Sequence, residues 1–262
     1  MRAGFYQFAP IFGKPEQNLK KITDTLSKSD TDLAVLPELA LTGYVFNDKQ
    51  EVLNLSETVP GRSTEILAEL AIKKNMTIVT GFAEKSGTAV YNSALMFTPA
   101  GEIKTYRKNH LFHEEKLFFT PGDLGFPVFT VNGVKIGLLV CFDHFFPEAA
   151  RTLALQGAQV ICHPSCLVLT GKAQVTTRSR SMENKIFWIL ANRFGTEVNG
   201  EKSLSFSGCS QITDPDGRIM VQAGDFEEGF FAVDINPALA DDKSATPLCS
   251  VFKDRRTDIY LL

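Results

Sequence analysis

Hydrophobic and polar positions alternate along this chain in two recurring rhythms. GFYQFAP at 4–10 is the first strand-like run, and KPEQNLKKITDTLSKS at 14–29 follows it with Leu19, Ile22 and Leu26 spaced by three and four residues. That spacing predicts a helix with one apolar face. DLAVLPE at 32–38 is almost continuously apolar, as expected of a strand covered on both faces. STEILAELAIKKN, 63–75, returns to the helical period, and TIVTGFAEK, NSALMFTP and EIKTYRKN then predict a three-strand meander.

The second half repeats the alternation. VFTVNGVKIGLLV holds Asn132-Gly133 between β-branched runs, which predicts a type I′ hairpin whose second arm ends at Cys141. A helix over FPEAARTLALQG closed by Gly157, a strand over AQVICHPS, a helix through SRSMENK and a strand over IFWILANRFG come next. Asp-Pro-Asp-Gly at 214–217 joins two further strands, and FFAVDIN supplies another before a polar tail. With no internal repeat or low-complexity linker, the expectation is one α/β domain over residues 1–262.

Composition narrows the function classes. A net charge of −3, with Lys and Arg scattered along the chain, favours neither a nucleic-acid groove nor a membrane-binding face. No apolar run is long enough to span a bilayer, and MRAGFYQFAPIFG lacks the pattern of an export signal, so a cytoplasmic protein is expected. Five cysteines, an odd number, suit reduced thiols, and the Asn54-Leu55-Ser56 sequon then carries no weight.

Several familiar chemistries fail on inspection. G-x-S-x-G, G-x-x-x-x-G-K-[ST] and G-x-G-x-x-G are all missing. His113-Glu114-Glu115 lacks the second histidine of a zinc protease, because Leu117 stands in its place. C-x-x-C pairs are absent too, so no metal site is expected.

Cys141 ends an apolar run and precedes a predicted helix, a setting in which the helix N-terminus would favour a thiolate. Packing residue and nucleophile both remain open on that ground alone. Glu38 closes another apolar run, where a carboxylate is costly to desolvate and would make a proton acceptor with a raised pKa, or else a cap or ion-pair partner. Lys108, after a strand-like stretch, could stabilise negative charge on a substrate oxygen, and Glu115 follows it by seven residues.

LPELALTGY, YRKNHLF and CFDHFFPEAAR together resemble the signature segments of the nitrilase superfamily of carbon–nitrogen hydrolases, in the same chain order. FYQFAP, ANRFG, FSGCSQITDPDG and RRTDIY extend the likeness over nearly the whole chain, with Phe142 where many relatives carry Tyr. The resemblance implies a four-layer α-β-β-α sandwich, no metal or organic cofactor, and a homodimer or larger homo-oligomer. It implies Glu38 as general base, Lys108 as oxyanion partner, Cys141 as nucleophile and Glu115 as an accessory carboxylate. The Phe142 N–H would share the oxyanion, and Tyr44, His144 and Ser165 are candidate pocket residues.

The implied reaction is hydrolysis of a small carboxamide through a cysteine thioester. Nitrile hydrolysis by the same triad is the alternative, and a non-catalytic binding homologue is the competing class. Lys108→Ala is expected to cripple turnover and leave the fold intact.

Overall fold

The computed structural model describes residues 1–260. In chain order its first half comprises β1 (Arg2–Gln7), α1 (Pro15–Lys28), β2 (Leu33–Val35), α2 (Lys49–Leu55), α3 (Arg62–Lys74), β3 (Thr77–Ser86), β4 (Ala89–Phe97), β5 (Ile103–Arg107) and α4 (Glu115–Phe118). The rest comprises β6 (Val128–Val131), β7 (Val134–Leu138), a 3-10 turn at Cys141–Phe145, α5 (Pro147–Leu155), β8 (Val160–Ser165), α6 (Lys172–Asn184) and β9 (Phe187–Asn192). After these come β10 (Phe194–Asn199), β11 (Lys202–Ser207), β12 (Gln211–Thr213), β13 (Ile219–Gln222), β14 (Gly229–Asp234), a 3-10 turn at Pro237–Ala240, β15 (Ser244–Thr246) and β16 (Cys249–Ser250).

Two six-stranded sheets, ordered β14-β1-β2-β3-β4-β5 and β13-β12-β9-β8-β7-β6, form the middle of the molecule. Each has a parallel centre, β1-β2-β3 in one and β7-β8-β9 in the other, and antiparallel flanks. Period-two alternation explains the layering. Phe5, Leu33, Val35, Val79 and Met96 share one buried cluster with Leu138, Cys162 and Ile189 of the second sheet. Their neighbours Tyr6, Ala34, Ile78 and Phe97 pack outward against Leu19, Ile22 and Leu26 of α1 and Leu67 and Ala71 of α3. On the far side α5 and α6 cover the second sheet through Ala149, Leu153 and Ala173. The result is the expected four-layer α-β-β-α sandwich.

Local expectations mostly hold at the right places. Asn132 and Gly133 both have positive φ, 49° and 80°, as a type I′ hairpin requires. Gly157, at φ 90°, follows the end of α5. Three boundaries differ. β2 is only three residues long, because the chain leaves the sheet before Pro37. The helix expected around 179–185 begins at Lys172, hidden in sequence because its buried face consists of Ala173, Thr177, Ser181 and Asn184 rather than large apolar residues. α2 was not expected; Asp48 caps it by accepting a hydrogen bond from the Glu51 N–H.

Candidate functional site

β2, β7 and β8 run parallel within their sheets, and the segments leaving their carboxyl ends carry Glu38, Cys141 and Cys166. Lys108 immediately follows β5, and its backbone is held by Asn92 and Gly122: its N–H donates to the Asn92 carbonyl at 2.8 Å and its carbonyl accepts from the Gly122 N–H at 2.9 Å. Strand ends are where open α/β sheets present functional groups, since loops there are free to diverge.

Glu38 reaches its place by a close backbone crossing over β3. Gly81 donates its N–H to the Pro37 carbonyl at 3.0 Å, and the Ala40 N–H donates to the Gly81 carbonyl at 3.2 Å. A Cβ on Gly81 would fall 2.2 Å from the Glu38 Cα, so only glycine fits. Cys141, the first residue of the 3-10 turn, adopts φ 42° and Leu39 adopts φ 47°, both in the left-handed region that non-glycine residues seldom enter. Strained backbone at the two residues around the proposed chemistry is held by surrounding bonds. The Cys141 carbonyl accepts a hydrogen bond from His163 Nε2 at 2.9 Å. Asp143 caps the turn by accepting from the Val140 N–H at 2.9 Å and from the Tyr106 hydroxyl at 2.7 Å.

The structure brings Glu38, Lys108, Glu115 and Tyr44 into one chain of hydrogen bonds. Lys108 Nζ donates to Glu38 Oε1 at 2.7 Å and to Glu115 Oε1 at 2.8 Å. Tyr44 donates its hydroxyl to the same Glu115 oxygen at 2.6 Å, and Asn92 Nδ2 donates to Glu38 Oε1 at 2.7 Å. Glu38 Oε2 is buried and has no hydrogen-bond partner among the described residues. Cys141 joins the group through Cys166: its thiol lies 3.8 Å from the Cys166 carbonyl, and the Cys166 thiol donates to the Glu38 carbonyl at 3.2 Å.

Electrostatics follow from this packing. Burial works against the Lys108 charge, but the carboxylates of Glu115 and Glu38 outweigh it and hold the ammonium well above the ordinary lysine range. Glu115 is raised by burial, with Lys108 pulling the other way. Cys141 is pushed far up, first by burial and then by the Glu38 charge, against the opposing pull of Lys108. Burial and the two acids thus favour the thiol over the thiolate that a helix N-terminus would favour, and Cys141 opens a short 3-10 turn instead of a long helix.

Of the expected pocket residues, Tyr44 lines a cavity of about 370 Å³ beside Glu115. His144 lines a much smaller void, about 20 Å³, that opens on Cys141. Phe112 and Val168 wall both spaces. Ser165 instead contacts His163 Nε2 at 3.2 Å and lines neither void, so the structure makes it a hydrogen-bonding partner of that ring. The Phe142 N–H makes no hydrogen bond among the described residues.

Sequence reasoning did not single out Asn92, Gly81 or Asp143, and it read His163 and Cys166 only as part of a strand and its exit loop. Gly81 alone had a readable signal, an isolated glycine within the strand run TIVTGFAEK. No helix is long and apolar enough to cross a membrane, and no group of His, Cys, Asp or Glu is placed to hold a metal ion, among the described residues.

Comparison with known proteins extends the resemblance. A nitrilase of Pyrococcus abyssi is 40% identical over 264 residues, covering 99% of each chain. The crystal structure of a carbon-nitrogen hydrolase from Helicobacter pylori superposes with a TM-score of 0.89 at 27% identity, covering 99% of this chain and 97% of that one. The amidase of Nesterenkonia sp. AN1, in a variant whose active-site cysteine has undergone Michael addition of acrylamide, gives a TM-score of 0.78 at 28% identity over 94% of this chain and 97% of that one. Residues 2–243 match the carbon-nitrogen hydrolase family, and the chain belongs to it as an enzyme of the nitrilase superfamily.

Proposed function

We propose that the protein hydrolyses small carboxamides to carboxylic acid and ammonia through a thioester on Cys141. The observation that carries this reading is the asymmetry of Glu38: one oxygen is anchored by Lys108 and Asn92, and the other is buried with no partner among the described residues. An unengaged, buried carboxylate oxygen is a ready proton acceptor, and a thiol needs one. Glu38 takes the Cys141 proton as the sulfur forms its bond to the carbonyl carbon. The oxygen gains the displaced electron pair, held by the Lys108 ammonium and the free Phe142 N–H.

Protonated Glu38 then gives its proton to the nitrogen, the C–N bond breaks, and ammonia leaves. Water attacks the thioester with Glu38 again as base, the C–S bond breaks, and the proton returns to sulfur. Glu115 and Tyr44 fix the position of Lys108 throughout.

A second reading, nitrile hydrolysis through a thioimidate and the same thioester, is favoured by the 40% identity to a protein named nitrilase. The test is ammonia release from matched amides and nitriles, with Cys141→Ala as control and intact mass after mixing to detect an adduct. Faster release from the amide of each pair, abolished in Cys141→Ala, is the expected result. A preference for nitriles selects the second reading, and no adduct or ammonia across a broad panel favours a binding protein.

A further inference from the structure

The larger cavity next to the site has a mostly apolar wall. Phe46, Phe112, Phe118, Phe119, Val168 and Leu204 supply much of its apolar surface, with Glu114, Glu115 and Lys202 also in the wall. It reaches the hydrogen-bonded core at Glu115 and Tyr44, and Phe112 and Val168 continue into the small void over Cys141. A substrate whose carbonyl carbon meets the Cys141 sulfur can therefore extend past those two side chains into the larger cavity.

Charge in this cavity is internally settled. Lys202 donates from Nζ to Glu114 Oε2 at 2.7 Å and to the Phe46 carbonyl at 3.0 Å, and its ammonium lies 5.2 Å from the Phe118 ring centre. Glu115 already receives Lys108 and Tyr44 on the same oxygen, and its other oxygen accepts from the Phe112 N–H at 3.2 Å. Among the described residues, a charged group entering the cavity would find Lys202, Glu114 and Glu115 already paired.

We propose that this cavity is the acyl pocket and that it selects neutral, apolar acyl groups, aromatic ones above all, over acyl chains ending in an amine or a carboxylate. The proposal rests on the hydrolase reading above and adds the substrate class. Four phenylalanines offer ring edges and faces to an aryl group. Within the volume available, each added methylene should raise kcat/KM by roughly fourfold until the cavity is full. Leu204, on the half-buried strand β11, is the position at which the preference can be altered without touching the acid, ammonium or thiol.

The experiment uses full-length protein and six amides: acetamide, butyramide, hexanamide, 3-phenylpropionamide, 4-aminobutyramide and succinamate. Hydrolysis is followed by ammonia release, and binding to Cys141→Ala protein by calorimetry. The expected order places 3-phenylpropionamide and hexanamide at least tenfold above 4-aminobutyramide and succinamate in both readouts. Leu204→Glu should lower the phenyl substrate about tenfold and raise the amino one, each read as a ratio to acetamide in the same protein.

Hydrolysis that favours a charged amide over butyramide overturns the pocket assignment and leaves the hydrolase reading standing. Selective binding of the phenyl amide without any turnover does the reverse. A failure of Leu204→Glu to change the ranking of the phenyl and amino substrates in a folded protein also overturns the assignment.

Discussion

Lys108 Nζ lies 2.7 Å from Glu38 Oε1 with both side chains fully excluded from solvent. Glu115 stands at 2.8 Å on another side of the same ammonium. Removing the cation would strand two buried acids, so Lys108→Ala is a stability variant as well as a kinetic one, contrary to the expectation from sequence. Breaking a buried pair in this way costs about 3–5 kcal/mol, or roughly 10 °C in Tm for a chain of this size. Thermal unfolding of Lys108→Ala checks this, and an unchanged Tm would show that the ammonium does not neutralise the pair. A soluble fraction that remains folded should still show kcat reduced at least a hundredfold.

Glu38→Gln separates chemistry from structure, because an amide keeps the shape and can still accept from Lys108 and Asn92. With the Cys141 thiol held high by burial and by the Glu38 charge, loss of the base should lower kcat by about 10²–10⁴-fold. Near-normal turnover in this variant would remove Glu38 as the proton acceptor.

Gly81→Ala tests how the acid is carried. The new methyl would meet the Glu38 Cα at 2.2 Å and the Leu39 nitrogen at 2.6 Å, both backbone atoms with little room to give. Circular dichroism should remain close to native while activity falls at least a hundredfold. Retained activity would mean that the 37–41 segment moves without carrying Glu38 out of reach.

His144 supplies a pH signature. Burial first, and the Arg180 charge second, lower its pKa to about 4 from the ordinary 6.5. Between those values the unfolded chain binds a proton that the folded chain refuses. The stability tied to this group is therefore complete above pH 6.5 and is lost as pH falls toward 4. Between pH 7.5 and pH 5 the wild type should lose roughly 2 kcal/mol more than His144→Gln, measured by urea unfolding at each pH. Parallel losses in the two proteins would contradict the assignment.

Particular residues show what was readable from the sequence. Leu19, Ile22 and Leu26 marked the face of α1, and Asn132-Gly133 marked a hairpin, because periodicity and turn chemistry are properties of neighbours in sequence. The order of Glu38, Lys108 and Cys141 carried the family through its motifs. α6 was read short because small polar side chains form its buried face, and such residues carry no hydrophobic rhythm. Ser165 looked available at a strand end, yet it faces His163.

The amino-acid order by itself determined the alternation of strands and helices and the types of reacting group, and the two-sheet class followed only through the resemblance its motifs carry. Only the folded chain decided that Lys108 is wedged between two acids, that Cys141 rests as a thiol, and that an aromatic cavity adjoins it. Local patterns arise from bonds between near neighbours, whereas burial and charge coupling depend on which distant segments meet and how completely they exclude water.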